Sequence, residues 1–185
     1  MNYKQLLKQR YNAELARLQL LQEADLEFTT ISLQTNLLPL PGNVNGNKSK
    51  ELEVYKMLAS YNLEPAVYYF EIEAYDNDAL LKHLHQAKEK KDRAYPKSKL
   101  SGDTSPTKIL YVGSVKTNFY GRIIQHLGYG HRNTYALHLS HWAIDIPIKL
   151  KLHYCILPPK YLDIIRDIEA TISEALNPLV GKREE

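Results

Sequence analysis

The stretch from Ile148 to Ile156 limits the folding options of this chain more than any other. Ile148, Leu150, Leu152, Tyr154 and Ile156 alternate with Lys149, Lys151, His153 and Cys155. A period of two puts the first set on one face of a strand and the second on the other. The strand therefore belongs in a sheet with one buried and one partly wet face. Pro158 and Pro159 end it, and Pro159 suits the first turn of a helix from Lys160 to Leu176 that Pro178 closes. Such a strand needs partners, and two other runs supply them. Pro65 to Ile72 is β-branched and aromatic, and Lys108 to Gly113 is a shorter run of the same kind.

Helical spacing governs most of the remainder. Residues 2–27 carry an apolar stripe at Tyr3, Leu7, Tyr11, Leu15, Leu18 and Leu21, which predicts a helix. Residues 28–38 are apolar without a clear period. Residues 39–50, rich in Pro, Gly and Asn, read as an exposed linker. A helix from Ser49 to Tyr61 follows, with Leu52, Tyr55, Met57 and Leu58 as its apolar contacts. Residues 1–62 thus read as a helical N-terminal extension and 63–185 as the main domain. Within it, Asp76 or Asn77 caps a helix to Lys91 whose inner face is Leu80, Leu81, Leu84 and Ala87. The polar stretch Asp92 to Thr107 reads as a mobile loop. Thr117 or Asn118 caps a helix to Leu127, with Gly128 at its left-handed exit, and Thr134 caps a short helix from Tyr135 to Ala143. Three strands with helices between and around them predict a layered α+β or α/β domain.

At 185 residues and 44% hydrophobic, the chain can bury a core without disulfides or metals. Its single cysteine, Cys155, excludes an internal disulfide framework and fits a reducing compartment. No apolar run approaches the roughly 20 residues that span a bilayer, and the start MNYKQLLKQR, lacking an apolar stretch, does not read as a signal peptide. The expectation is a cytoplasmic protein without a membrane partner. The net charge of +3 is unevenly spread: residues 82–108 hold eight basic and three acidic side chains. That segment is either a footprint for a polyanion or a solvated loop.

Few residues stand out for chemistry. Glu169 lies four after Ile165 and three before Ile172, among the apolar positions of the last helix. A carboxylate there is paired or belongs to a site. Arg122 and His126 share a helix face, and the planar guanidinium fork suits phosphate. Tyr68 and Tyr111 fall on two predicted strands, where a tyrosine ordinarily packs its ring and hydrogen-bonds at its tip. Five of seven histidines fall between His126 and His153, yet no second cysteine and no finger-like spacing accompany them, so a structural zinc is not expected.

In chain order these pieces resemble the GIY-YIG nuclease superfamily over about residues 65–182. Ala66-Val67-Tyr68 stands where the family has its GIY element and Tyr111-Val112-Gly113 where it has YIG. Arg122 follows Tyr111 by 11 residues, His126 comes one turn later, and Glu169 with Pro178 resembles the late helix of the family. Three departures accompany the match. Ala66 replaces a glycine, a basic insertion at about 76–107 separates the tyrosines, and Gly181 stands where the family often has an asparagine. The resemblance implies an α+β fold with a small three-stranded, mainly antiparallel sheet flanked by helices. It implies hydrolysis of DNA phosphodiesters, of restriction or mobile-element type. Glu169 would hold one Mg²⁺ or Mn²⁺, and Arg122 would neutralise the phosphoryl oxygens. Tyr68 would orient or deprotonate the attacking water, given cations that lower its pKa, with Tyr111 in the same pocket. His126 would serve proton transfer or phosphate contact, and all these groups would share one concave surface. Lys88, Lys90, Lys91, Arg93, Lys97, Lys99 and Lys116 would contact DNA phosphates. The alternatives are a catalytically weak nucleic-acid-binding module of the same fold and a protein-interaction domain.

Overall fold

A computed structural model describes residues 3–40, 53–73, 76–99 and 107–181. Most of the linker expected at 39–50, the start of the helix expected from Ser49, and residues 100–106 of the basic insertion lie outside them.

The architecture is α+β, built on one antiparallel sheet of four strands. In chain order the elements are α1 (Tyr3–Gln22), β1 (Thr29–Gln34), α2 (Glu53–Leu58), β2 (Ala66–Ile72), α3 (Asn77–Glu89), β3 (Ile109–Val115), α4 (Phe119–Leu127), β4 (Lys149–Ile156) and α5 (Ile165–Leu176). The strand order is β1-β4-β2-β3. Three of the strands are those expected. The fourth, β1, corrects both the three-stranded sheet and the purely helical extension. Thr29 to Gln34 pairs with Tyr154 to Lys149, so Ile31 and Leu33 fall opposite Leu152 and Leu150 on the buried face. The run Thr-Thr-Ile-Ser-Leu-Gln is β-branched and alternating, but only two apolar residues long in its inward set.

Register assigns every strand residue to a face. Ala66, Tyr68, Phe70 and Ile72 of β2 share one face with Leu150, Leu152 and Tyr154 of β4 and with Tyr111 and Gly113 of β3. This face carries the main core, closed by Leu80, Leu81 and Leu84 of α3 and by Phe119, Ile123 and Leu127 of α4. Val67 and Cys155 lie on the other face, in a second cluster with Tyr161, Ile164, Ile165 and Ile168, against which Leu20, Leu21 and Phe28 also pack. Helices therefore cover both faces, with α5 on the side opposite α3 and α4.

The local signals in the sequence act as expected at the helix ends. The Asp76 carboxylate accepts from the Asp78 and Ala79 amides at 2.9 and 3.3 Å. Asn118 Oδ1 accepts from Gly121 N at 3.1 Å, and Gly128 leaves α4 at φ 106°, where a side chain would be strained. The short helix expected over 135–143 is instead a run of turns with one 3-10 turn, Leu139–His141, because His138 takes a left-handed conformation at φ 49°. In α2, Val54 and Leu58 are buried while Met57 points outward.

The basic insertion is not a free loop over the residues described. Ala94 N donates to Arg132 O, Lys99 N to Leu179 O, and Gly181 N to Lys97 O. The segment is thereby stitched at Ala94 to the chain after α4 and at Lys97 and Lys99 to the chain beyond Pro178, which itself runs along β3 through Leu179 N to Ile109 O and Val180 N to Leu110 O.

Candidate functional site

The site starts from two tyrosines that β2 and β3 place on the same sheet face. Tyr68 sits opposite Gly113, and Phe70 opposite Tyr111. The two tyrosine rings lie 6.3 Å apart between centroids. Gly113 is required there: a Cβ would meet Tyr111 Cε1 at 2.6 Å and Tyr68 Oη at 2.8 Å. The glycine lets both rings close over bare backbone.

Helix α4 then brings two nitrogen-bearing side chains onto Tyr68. Arg122 Nε donates to its hydroxyl oxygen at 3.2 Å and Arg122 Nη1 donates to Gln125 Oε1 at 3.1 Å, and the guanidinium lies close enough to Tyr111 for its charge to act on that hydroxyl. His126, one turn on, has its Nε2 3.0 Å from the Tyr68 oxygen. Its Nδ1 accepts from the Leu137 amide at 3.1 Å, so the neutral ring carries its proton on Nε2 and donates to Tyr68. The phenol oxygen of Tyr68 thus receives two donors.

Electrostatics follow from burial. Tyr68 is 1% exposed, and burial pushes its pKa far above the ordinary tyrosine value; the Tyr111 hydroxyl adds to this, against the opposing pull of Arg122. Tyr111 is raised by burial as well, again opposed by Arg122. Burial, with the charge of Arg122, holds His126 well below the usual histidine range, so it stays neutral. Two expectations change here. Tyr68 is not lowered towards a working base: the cation is in place, but burial outweighs it. His126 is fully buried and cannot contact phosphate; its Nε2 reaches only the Tyr68 hydroxyl.

Glu169 approaches from the other side. Register puts Ser114 opposite Val67, on the face that α5 covers. The Ser114 hydroxyl donates to Glu169 Oε2 at 2.5 Å, and Arg166 Nη1 donates to the same oxygen at 2.7 Å. In α5 the buried positions are Ile165 and Ile168, and Glu169 sits at their rim with its side chain 23% exposed. The expectation of one concave surface shared by Tyr68, Tyr111, Arg122 and Glu169 is therefore corrected. The tyrosines and Arg122 share a face, while Glu169 lies across β3. β3 is the last strand in the sheet order, with Leu179 and Val180 bonded along its outer side at Ile109 and Leu110. The carboxylate is close enough for its charge to raise the pKa of both tyrosines, and Arg166 to lower that of Tyr111.

As a metal site this is sparse. Among the described residues no group of three His, Cys, Asp or Glu side chains assembles. One carboxylate still suits Mg²⁺, which is commonly held by one or two carboxylates with water and substrate phosphate completing the shell. Ser114 and Arg166 were not singled out by sequence reasoning. Arg166 is three residues before Glu169, a spacing that could have marked the pair; nothing local marks Ser114.

The basic residues divide. Lys90, Lys91, Lys97 and Lys116 are exposed. Lys88 is half-buried, its Nζ donating to Ser98 Oγ at 2.7 Å, and burial lowers its pKa. Arg93 is half-buried, close enough to His138 and His141 for its charge to help lower both. Lys99 is corrected outright. It is 6% exposed, and its Nζ donates to Asn177 O and Oδ1 at 3.2 and 2.7 Å, which clamps the end of α5 instead of reaching a phosphate.

No helix among the described residues is long and apolar enough to cross a membrane. Compared with known proteins, the chain matches no protein-family model, no curated protein and no solved structure.

Proposed function

We propose that this chain is a cytoplasmic, Mg²⁺- or Mn²⁺-dependent DNA endonuclease of the GIY-YIG type, working at the edge of β3. One observation carries the reading: Arg122 Nε donates to the Tyr68 hydroxyl, Tyr68 is in turn held by His126, the Tyr111 ring lies beside Tyr68, and the Glu169 carboxylate lies across β3. A half-buried guanidinium held this way is prepared for charge that grows on a phosphoryl oxygen. Tyr111, 9% exposed against 1% for Tyr68, is the tyrosine nearer the opening and the better placed to orient water or phosphate. Tyr68 and His126 set the direction of Arg122. Glu169 would hold the ion, which when bound supplies positive charge beside the scissile phosphate. Lys90, Lys91, Lys97 and Lys116 supply phosphate contacts along the duplex.

A non-catalytic nucleic-acid-binding module is the second reading. It is favoured by the occupation of Glu169 Oε2 by Arg166 and Ser114, and by Gly181 at the departing position.

Incubation with a panel of plasmid DNAs and Mg²⁺ or Mn²⁺, beside Glu169→Gln, decides between them. Metal-dependent cleavage by the native chain and none by Glu169→Gln is the expected result. Binding without cleavage across the panel replaces the endonuclease with the module. For the binding surface, neutralising Lys90, Lys91 and Lys97 together flattens the slope of log affinity against log salt by about 2.7 on duplex DNA. An unchanged slope removes these lysines from the interface.

A further inference from the structure

On the sheet face that carries Val67 and Cys155, α5 packs on those two residues. The same face continues along the strands with Thr30 and Ser32 of β1, Lys151 and His153 of β4, and Tyr69 and Glu71 of β2, all at least partly exposed. Three of these side chains form one hydrogen-bonded relay across three adjacent strands. Thr30 Oγ1 lies 2.9 Å from His153 Nδ1, and His153 Nε2 lies 2.8 Å from Glu71 Oε2. A carboxylate only accepts, so Nε2 carries the ring proton. In the neutral imidazole Nδ1 then holds the lone pair, and the Thr30 hydroxyl donates to it. The Tyr69 ring stacks on the imidazole at 4.4 Å and 15°, with Phe28 edge-on against Tyr69 at 5.3 Å, which fixes the plane of the base. Thr30 is β-branched, so its hydroxyl is restricted in direction, and it is exposed, whereas the His153 side chain is 15% exposed. A reachable hydroxyl, a sheltered imidazole and a carboxylate in this order are the parts that activate an alcohol as a nucleophile.

Strand pairing adds donors for the charge such a reaction creates. Thr35 N bonds Ile148 O, and on the other side of β4 Leu157 N bonds Pro65 O. Bonded pairs recur every second residue of an antiparallel ladder, and both registers run without a shift. His153 therefore bonds β2 and faces Thr30 across a non-bonded pair. The Thr30 N–H points away from β4, along the outer edge of the sheet, and Ser32 brings a second hydroxyl to the same face. The surroundings select the substrate. Glu71 and Glu73 stand beside the relay, and Lys151, opposite Glu71, is paired with Glu73 at 3.1 Å. A phosphoryl group would bring further negative charge against these carboxylates. A carboxylic ester is neutral and develops charge on one oxygen, which N–H and O–H donors can meet.

We propose that Thr30, His153 and Glu71 form an acyl-transfer site, distinct from Arg122 and Glu169, with Thr30 as the nucleophile toward small activated esters. Thr30 Oγ1 bonds the acyl carbon as the bond to the leaving oxygen breaks. His153 Nδ1 takes the Thr30 proton and passes it to the leaving group. Water, giving a proton to the same nitrogen, then hydrolyses the threonyl ester, and that proton returns to Thr30 Oγ1. Thr30 and His153 are catalytic residues, and Glu71 is a positioning residue that holds the imidazole in the reactive tautomer.

The full chain with p-nitrophenyl acetate tests this, with nitrophenolate release followed and the acetylated residue located by peptide mass spectrometry. The expected result is a stoichiometric burst with the acetyl group on Thr30. Thr30→Val, nearly the same shape on an exposed strand, abolishes the burst with an unchanged melt, and Thr30→Ser keeps it. His153→Gln slows it about 10²-fold or more. Glu71→Gln slows it as well, and nitrogen NMR of the His153 ring shows the proton no longer confined to Nε2; Glu71→Asp recovers part of both. A native chain that releases nitrophenolate no faster than Thr30→Val overturns the proposal, as do acetyl groups on lysines or on His153 with none on Thr30. Native rates in both His153→Gln and Glu71→Gln overturn the relay.

Discussion

On one side of β3, Tyr68 and His126 are sealed in the core and hydrogen-bonded to each other, and Arg122 is held beside them by hydrogen bonds to Tyr68 and Gln125. On the other side, Glu169 is partly exposed and its partner Arg166 is 71% exposed. The first arrangement has no room to adjust, because close-packed interiors resist even a methylene. The second is a surface pair on one helix, free to exchange partners. The chemistry assigned to each side follows from this. Fixed geometry suits a group that must meet a transition state, and an adjustable carboxylate suits an ion that arrives with its substrate.

The comparison is broken most severely at the residue between the two sides. In Gly113→Ala the new Cβ lies within 3 Å of both tyrosine side chains, and neither buried ring can withdraw. Overpacking of this kind costs about 1–3 kcal/mol of stability. The tyrosines must also shift, and Arg122 moves with them, so cleavage falls about 10³-fold or more. A melt that drops by the expected amount with cleavage kept within tenfold separates the packing from the chemistry and defeats the assignment.

Arg122 comes next. In the proposed endonuclease its guanidinium acts on charge that develops in the transition state, so Arg122→Ala is expected to lower single-turnover cleavage about 10²-fold, roughly 2.7 kcal/mol, while DNA affinity changes far less. Arg122→Lys recovers only part, since an ammonium cannot reach the Tyr68 hydroxyl and Gln125 at once and lacks the planar fork. Equal losses in cleavage and affinity assign Arg122 to binding alone.

What the sequence disclosed divides along the same line. The caps at Asp76, Asn118 and Gly128 are local devices, so the sequence marks them to within a residue, with Asn77 and Thr117 as the alternatives to the first two. The alternation of Ile148 to Ile156 was equally plain because its period repeats. β1 was not, because two inward apolar residues are too few to establish a period, and its strand form depends on pairing with β4, more than a hundred residues away. The left-handed backbone of His138, which breaks the expected helix, has no local signature. At the site, residue types and order pointed to Tyr68, Tyr111, Arg122 and Glu169. The face each occupies depends on strand register, where a step of one residue, Gly113 to Ser114, decides the side. Burial of Lys99 is likewise a tertiary fact, since a lysine in a polar run carries no mark of the Asn177 carbonyls that will receive it.

The sealed side also predicts a pH response. His126 has a folded pKa well below its ordinary value near 6.5, so below that value the unfolded chain binds a proton that the folded chain refuses. Its contribution is present above pH 6.5 and is lost as pH falls. The slope approaches about 1.4 kcal/mol per pH unit. Denaturant titrations between pH 7 and 5 show this decline, and His126→Gln reduces its steepness. A decline of undiminished slope in that variant places the acid sensitivity elsewhere.

The smallest effects lie on the open side, where they differ in sign. Ser114 is buried, and its hydroxyl holds Glu169 Oε2 from below; Ser114→Ala removes a hydrogen bond to a charged group, worth about 1.5–3 kcal/mol in a well-formed case. The carboxylate loses its orientation, so the Mg²⁺ concentration for half-maximal cleavage rises about tenfold. Arg166 competes for the same oxygen from the solvent side. An exposed pair of this kind is worth about 1 kcal/mol or less, which bounds the gain on removing it at about fivefold. Arg166→Ala therefore lowers the Mg²⁺ requirement by up to that factor, measured by metal titration at saturating DNA. If both substitutions move the requirement in the same direction, Arg166 is a support for Glu169 and not a competitor, and the open side is as rigid as the sealed one.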